Sequence, residues 1–211
     1  MNKHTKTTIL LLLLPLFALG AWYPINPRNG EMQTDAGGSV RAHQVHVAHF
    51  RWASPDVAGA TTIANVTPSA GVARVILSAS ITNPDECRGL VVKAPTSYGG
   101  VVDITGTNIA GDVITEAFTL SGTNTTTGSM AFKTVTHIEV PANEQIQVGT
   151  SDKLGLPYMS AYTIVLDAYL DNTREGTAAT VARDADELEK NTVDLNSSLN
   201  NKQVDVFFAW Y

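Results

Sequence analysis

Between Val101 and Val140, apolar and polar residues alternate almost without interruption. Val101-Val102-Asp103-Ile104-Thr105 alternates, and Gly106 to Asp112 supplies turn chemistry. Val113 to Leu120 then alternates again, with Ile114, Phe118 and Leu120 on one side and Thr115, Ala117 and Thr119 on the other. Period-two alternation bounded by Gly, Asn and Asp is the pattern of a half-buried antiparallel hairpin. A polar loop is expected over Ser121 to Ser129, followed by a strand from Ala131 to Val140 that ends at Pro141. Similar segments lie near 40–50, 72–80, 89–94, 162–170 and 202–210, the last grouping Val204, Val206, Phe208 and Trp210 on one face. Thr180 to Ala185 reads as a further short strand, and Asp184 to Lys190 is the best candidate for a helical turn. Ser151 to Tyr158 reads as a loop anchored by Leu154 and Leu156, and Asn191 to Asn196 as a polar connection. The pattern predicts an all-β protein: an antiparallel β-sandwich or jelly-roll-like barrel with an extended N-terminal arm.

The chain changes character near residue 60. Residues 1–60 read as an apolar, aromatic arm and linker, and residues 61–211 as the β-sandwich body. The first residues combine Lys3 and Lys6 with an apolar run, Ile9 to Leu19, and small residues at Ala18-Leu19-Gly20-Ala21. Such a stretch suits a secretory signal. It is shorter than the roughly 20 residues a spanning helix needs, so no permanent membrane anchor is expected. It equally suits an arm that buries its apolar side chains against partner subunits, and the arm is the reading carried forward. Trp22, Tyr23 and Trp210, read as exposed aromatics, suggest self-association as a trimer or ring. Ala53 to Ala60, with a turn at Pro55-Asp56, reads as the joint.

Charge removes one class of partner. The 211 residues carry a formal net charge of -6. Five basic and three acidic side chains lie in residues 1–60, against nine basic and seventeen acidic beyond. An acidic body lacks the clustered Lys and Arg that neutralise phosphates, so direct nucleic-acid binding is not expected. Cys87 is the only cysteine, so neither an internal disulfide nor a Cys-based metal site can form.

His43, His46 and His49 are the one constellation that invites a metal reading. Imidazole is a common zinc ligand, but alternation from Ser39 to Phe50 predicts a strand. His43 and His49 then share a face with Val45 and Val47, His46 takes the other, and the three cannot converge. No Gly-x-Ser-x-Gly elbow, phosphate-binding Gly loop or His-Glu-x-x-His occurs. Asp103, Asp112, Glu116 and Glu139 read as carboxylates on solvated strand faces or turns. No catalytic, cofactor-binding or metal residue is assigned, no cofactor is expected, and the chain is not read as an enzyme. Asn-x-Ser/Thr triplets at Asn65, Asn124 and Asn196 read as the chance product of a Thr-rich chain.

From Ile81 to Phe208 the chain resembles a family of tailed-bacteriophage virion structural proteins. The resemblance rests on Ile81-Thr82-Asn83-Pro84, Asp103 to Gly111, Ala131-Phe132-Lys133-Thr134-Val135, Asp152-Lys153-Leu154-Gly155-Leu156-Pro157-Tyr158 and Asn191 to Ser197. It implies a non-enzymatic virion component, with a capsid decoration or stabilising role fitting best and the major capsid protein or other virion subunits as partners. A tail or neck component fits the same residues. A secreted β-sandwich adhesin or carbohydrate-binding module fits the signal-like start instead.

Overall fold

The computed structural model describes residues 31–33, 39–41, 46–66, 74–77, 80–140, 145–159 and 163–210. The apolar run, Trp22, Tyr23, His43 and the side chains of His46 and Trp210 lie outside the described residues. Among the described residues no helix is long and apolar enough to cross a membrane.

The chain divides into two compact units, Met1–Val45 and His46–Tyr211. In the first, β1 (Glu31–Gln33) pairs antiparallel with β2 (Ser39–Arg41). The second runs β3 (His46–Trp52), β4 (Gly59–Val66), β5 (Arg74–Leu77), β6 (Arg88–Lys93), β7 (Tyr98–Thr107) and β8 (Val113–Gly122). It continues through β9 (Thr125–Phe132), β10 (Thr134–Val140), β11 (Ile146–Gly155), β12 (Thr163–Leu170) and β13 (Thr173–Arg174). β14 (Thr180–Ala182), a 3-10 turn at Leu188–Lys190, β15 (Thr192–Asp194) and β16 (Val204–Trp210) complete it. The protein is all-β and antiparallel, as expected.

Among the described residues, three sheets make the second unit. Four strands run in the order β5-β10-β7-β8, and four in the order β13-β12-β16-β3. The largest sheet runs β14-β15-β11-β6-β9, with β4 also paired to β11. One core joins Val102, Ile104, Phe118, Leu120 and Ile138 to Leu90, Val92, Phe132, Ile146 and Val148. A second joins Leu154, Leu156, Val193 and Leu195 to Trp52, Ala168, Leu170, Val204, Val206 and Phe208. β11 therefore serves both cores, its first half facing one and Leu154 the other.

The change happens at a register shift between Thr150 and Leu154 in the β6–β11 pairing. A ladder interrupted there leaves backbone acceptors that burial would make costly. Arg88, fully buried, supplies the donors: Nε and Nη2 donate to the Ser151 carbonyl at 2.9 and 2.7 Å. Nη1 donates to the Asp56 carbonyl and to Asp85 Oδ1. Burial pushes the Asp85 carboxyl up, but hydrogen bonds from Asp56 N and Arg88 outweigh it and hold it below the ordinary range. Beside this clamp β4 crosses β11 so closely that a Cβ at Gly149 would lie 1.6 Å from the Gly59 carbonyl oxygen. Only glycine permits that approach.

Several segments differ from the sequence reading. The expected boundary after Ala60 falls inside β4, and β3 before it pairs with β16 in the same unit. The loop expected over Ser121 to Ser129 is a tight turn followed by β9, whose Thr-rich sequence lacks apolar alternation because its partners supply the apolar surface. Ser151 to Gly155 is strand, although its anchors Leu154 and Leu156 are buried as expected. Thr192–Asp194 is also strand rather than connection. The helical turn expected over Asp184 to Lys190 shrinks to one 3-10 turn, fixed by Asn191, whose Nδ2 donates to the carbonyls of Asp184 and Glu187.

Candidate interaction face on the four-stranded sheet of β3, β12, β13 and β16

Pairing decides which side chains meet on the outer surface of this sheet. Asp205 lies opposite Arg51 on one side and Tyr169 on the other, while Phe207 lies between His49 and Asp167. Ala209 lies between Val47 and Ile164. A bulge between Val165 and Asp167 adds Leu166 to the same surface. The opposite, inward residues Val204, Val206 and Phe208 fill the second core.

The polar end is built around a buried carboxylate. Asp205 is 6% exposed. Its Oδ1 lies 2.6 Å from His49 Nε2 and accepts from Arg51 Nε at 2.7 Å, while Oδ2 accepts from Gln203 Nε2 at 2.5 Å. Burial raises the affinity of this carboxyl for a proton, and the hydrogen bonds from Arg51, Gln203 and His49 outweigh it, leaving its pKa below the ordinary value. The His49 ring stacks on Phe207 at 4.4 Å, and Tyr169 meets the other side of Phe207 edge-on at 6.1 Å. His49, Arg51, Tyr169, Asn172, Asp205 and Phe207 line a shallow recess of about 280 Å³. Asn172 reaches it from the two-residue turn between β12 and β13, where Asp171 and Asn172 both have positive φ, the geometry that matches the twist of a hairpin.

A second ion pair repeats the arrangement. Arg174 Nε donates to Asp167 Oδ1 at 2.8 Å, and Tyr169 OH donates to Asp167 Oδ2 at 2.9 Å. The Arg174 hydrogen bond is the main reason the Asp167 carboxyl stays below its ordinary range. In both pairs the cation lies outermost: the Arg51 and Arg174 side chains are 57% and 70% exposed, their carboxylates 8% and 28%. Beyond them lies an exposed apolar strip, Val47 at 64%, Ile164 at 51% and Leu166 at 50%.

The residues singled out by sequence fall in different places. His49 joins this face through Asp205, with Val47 beside it as alternation required. Among the described residues no group of three or more His, Cys, Asp and Glu side chains is placed to hold a metal ion. Cys87 is buried, and burial pushes its thiol up to about 12. Glu116 corrects the expectation of a solvated carboxylate: it is 9% exposed and Oε1 accepts from the backbone N–H groups of Ser129 and Met130 and from Ser129 Oγ. An inward position in β8 forces this, since Glu116 shares the face of Ile114 and Phe118. Asp205, Arg51, Asp167 and Arg174 were not anticipated. Their signal was a lone Asp inside the apolar Val204–Phe208 strand, which calls for a cation from elsewhere in the chain.

Comparison of the chain with protein-family models, with curated proteins and with solved structures finds no match in any of the three.

Proposed function

We propose that the chain is a non-enzymatic structural component of a bacteriophage virion, a capsid decoration or stabilising protein that binds a neighbouring virion subunit. The observation that carries this reading is the outer face just described: a contiguous apolar strip beside two outward guanidinium groups on an otherwise acidic body. Contiguous exposed apolar surface rimmed by polar groups marks protein-binding sites. The buried polar side chains Arg88, Asn108 and Asn191 support it, because each serves the chain's own backbone or loops. The distinctive Asp152–Tyr158 block also has a packing role. Leu154 and Leu156 enter the second core, and Tyr158 stacks on Phe50 at 5.5 Å. Residues 1–45 keep, in this reading, the part of an attaching arm.

Quantitative mass spectrometry of gradient-purified particles tests it. The chain is expected in stoichiometric amount with the shell, and Ile164→Asp with Leu166→Asp is expected to lower that occupancy. Recovery only from the particle-free supernatant, with an N-terminus at Ala21, would overturn the reading in favour of a secreted β-sandwich.

A further inference from the structure

The outer face has a complement on the chain itself. Between β14 and β15, Asp184, Asp186, Glu187 and Glu189 form an acidic loop around Leu188, which is only half-buried. The loop is held in shape: Asp184 Oδ1 accepts from the N–H groups of Asp186 and Glu187, and Asn191 Oδ1 accepts from Asp184 N. Asp112 extends the acidic pole, since its Oδ2 and Glu189 Oε2 both lie against Asn108 Nδ2. Lys190 pairs with Glu187, so the loop offers Asp184, Asp186 and Glu189 around an apolar side chain. The outer face offers guanidiniums around an apolar strip.

Within one molecule the two lie on different sheets, joined at the base of the loop where Arg183 Nη1 donates to the Thr163 carbonyl at 3.0 Å. β14 and β15 belong to the six-stranded sheet, which packs through the second core against the inner side of the β13-β12-β16-β3 sheet. The outer side of that smaller sheet faces away from it. In the recess the Phe207 ring is already stacked by His49 and met at right angles by Tyr169. A preformed loop suits an open recess, and preforming it lowers the entropy lost on docking. Charge points the same way. Residues 46–211 carry ten basic and eighteen acidic side chains, and an outward pair of guanidiniums on such a body suits a carboxylate-bearing loop.

We propose that the outer face of β3, β16 and β12 receives the Asp184–Glu189 loop of a second copy of this chain, head to tail. Such a contact joins two different surfaces, so each copy keeps one free donor and one free acceptor. Repetition closes a ring or extends a filament. The inference concerns the chain in solution and stands apart from the identity of the particle.

Sedimentation velocity of the full chain tests it, with near-ultraviolet circular dichroism confirming that each variant is folded. The parent is expected to associate at low salt and to dissociate as salt rises. A face variant, Leu166→Glu with Arg174→Glu, and a loop variant, Asp186→Lys with Glu187→Lys, should each weaken association by about a hundredfold, because like charges then face each other. All of these substitutions fall on exposed or half-buried side chains and leave Asp205 and Arg51 intact. Mixing the two variants pairs the sound loop with the sound face and the charge-reversed face with the charge-reversed loop, so the mixture should assemble as the parent does, with the two variants alternating. A chain carrying all four substitutions should recover association. A parent that stays monomeric at low salt, a loop variant that assembles like the parent, or a mixture that stays monomeric would overturn the proposal. Loss of particle binding by the face variant with no effect of the loop variant would assign the face to the shell instead.

Discussion

The outer surfaces of the two four-stranded sheets are built from the same antiparallel pairing and finished differently. On the β5-β10-β7-β8 sheet the outward threonines satisfy one another: Thr105 and Thr115 hydroxyls lie 2.8 Å apart, and those of Thr107 and Thr134 2.7 Å. Its exposed valines, Val101 and Val113, sit on opposite sides of those threonines, separated by the Asp103 and Thr105 rows. On the β13-β12-β16-β3 sheet the exposed Ile164 and Leu166 lie close together with Val47 across Ala209, and the carboxylates sink beneath their cations. Scattered apolar residues are ordinary on any protein surface, whereas a contiguous set beside outward charge is not. The difference teaches that fold alone does not mark an interaction face. How the polar groups are satisfied does.

The largest effects should be equal on the two sheets, because they lie beneath the surfaces. Phe118→Ala under the threonine face and Phe208→Ala under the other should each cost about 3–5 kcal/mol, read by denaturant unfolding. A large inequality would mean the two cores are not comparable platforms.

Next comes acid. Asp205 has a pKa depressed in the folded state, so its contribution is present above the unfolded value near 3.8 and is lost as pH falls through the folded value. Asp205→Asn should cost about 1–2 kcal/mol at neutral pH, and the gap to the parent should close as pH falls below about 4. Thr105→Val on the other sheet should show no such pH-dependent gap. A gap that widens in acid would reverse the sign and refute the account of Asp205.

Thr105→Val should itself cost no more than about 1 kcal/mol, the range of a cross-strand pair. The smallest stability effect is the sharpest discriminator. Leu166→Ser and Val113→Ser should both stay within about 0.5 kcal/mol of the parent. Only Leu166→Ser should weaken self-association. If Val113→Ser weakens it equally, the two faces are not distinct in the way proposed.

Legibility in the sequence followed the same divide. β8 was readable because Ile114, Phe118 and Leu120 alternate against Thr115, Ala117 and Thr119, and β16 because Val204, Val206 and Phe208 alternate with Asp205 and Phe207. β4 and β9 were not, since their Ala- and Thr-rich residues pack through backbone proximity, as Gly149 and Gly59 show, rather than through an apolar stripe. The candidate face was out of reach for a different reason. His49, Arg51 and Asp205 can be placed on strand faces by parity, but 154 residues separate Arg51 from Asp205. Sequence patterns within a strand carry no record of which strand will be its neighbour.

The pairing of β3 with β16 has a consequence in time as well as in space. β16 is the central partner, bonded to β12 on one side and β3 on the other. A growing chain has made β3 and β12 long before residues 204–210 leave the ribosome, so until then those two strands have no surface in common. Contacts of such long sequence separation also form late in folding. The proposed binding face is thus withheld from each nascent chain until residues 204–210 have emerged, and an unfolded chain has no such face to offer.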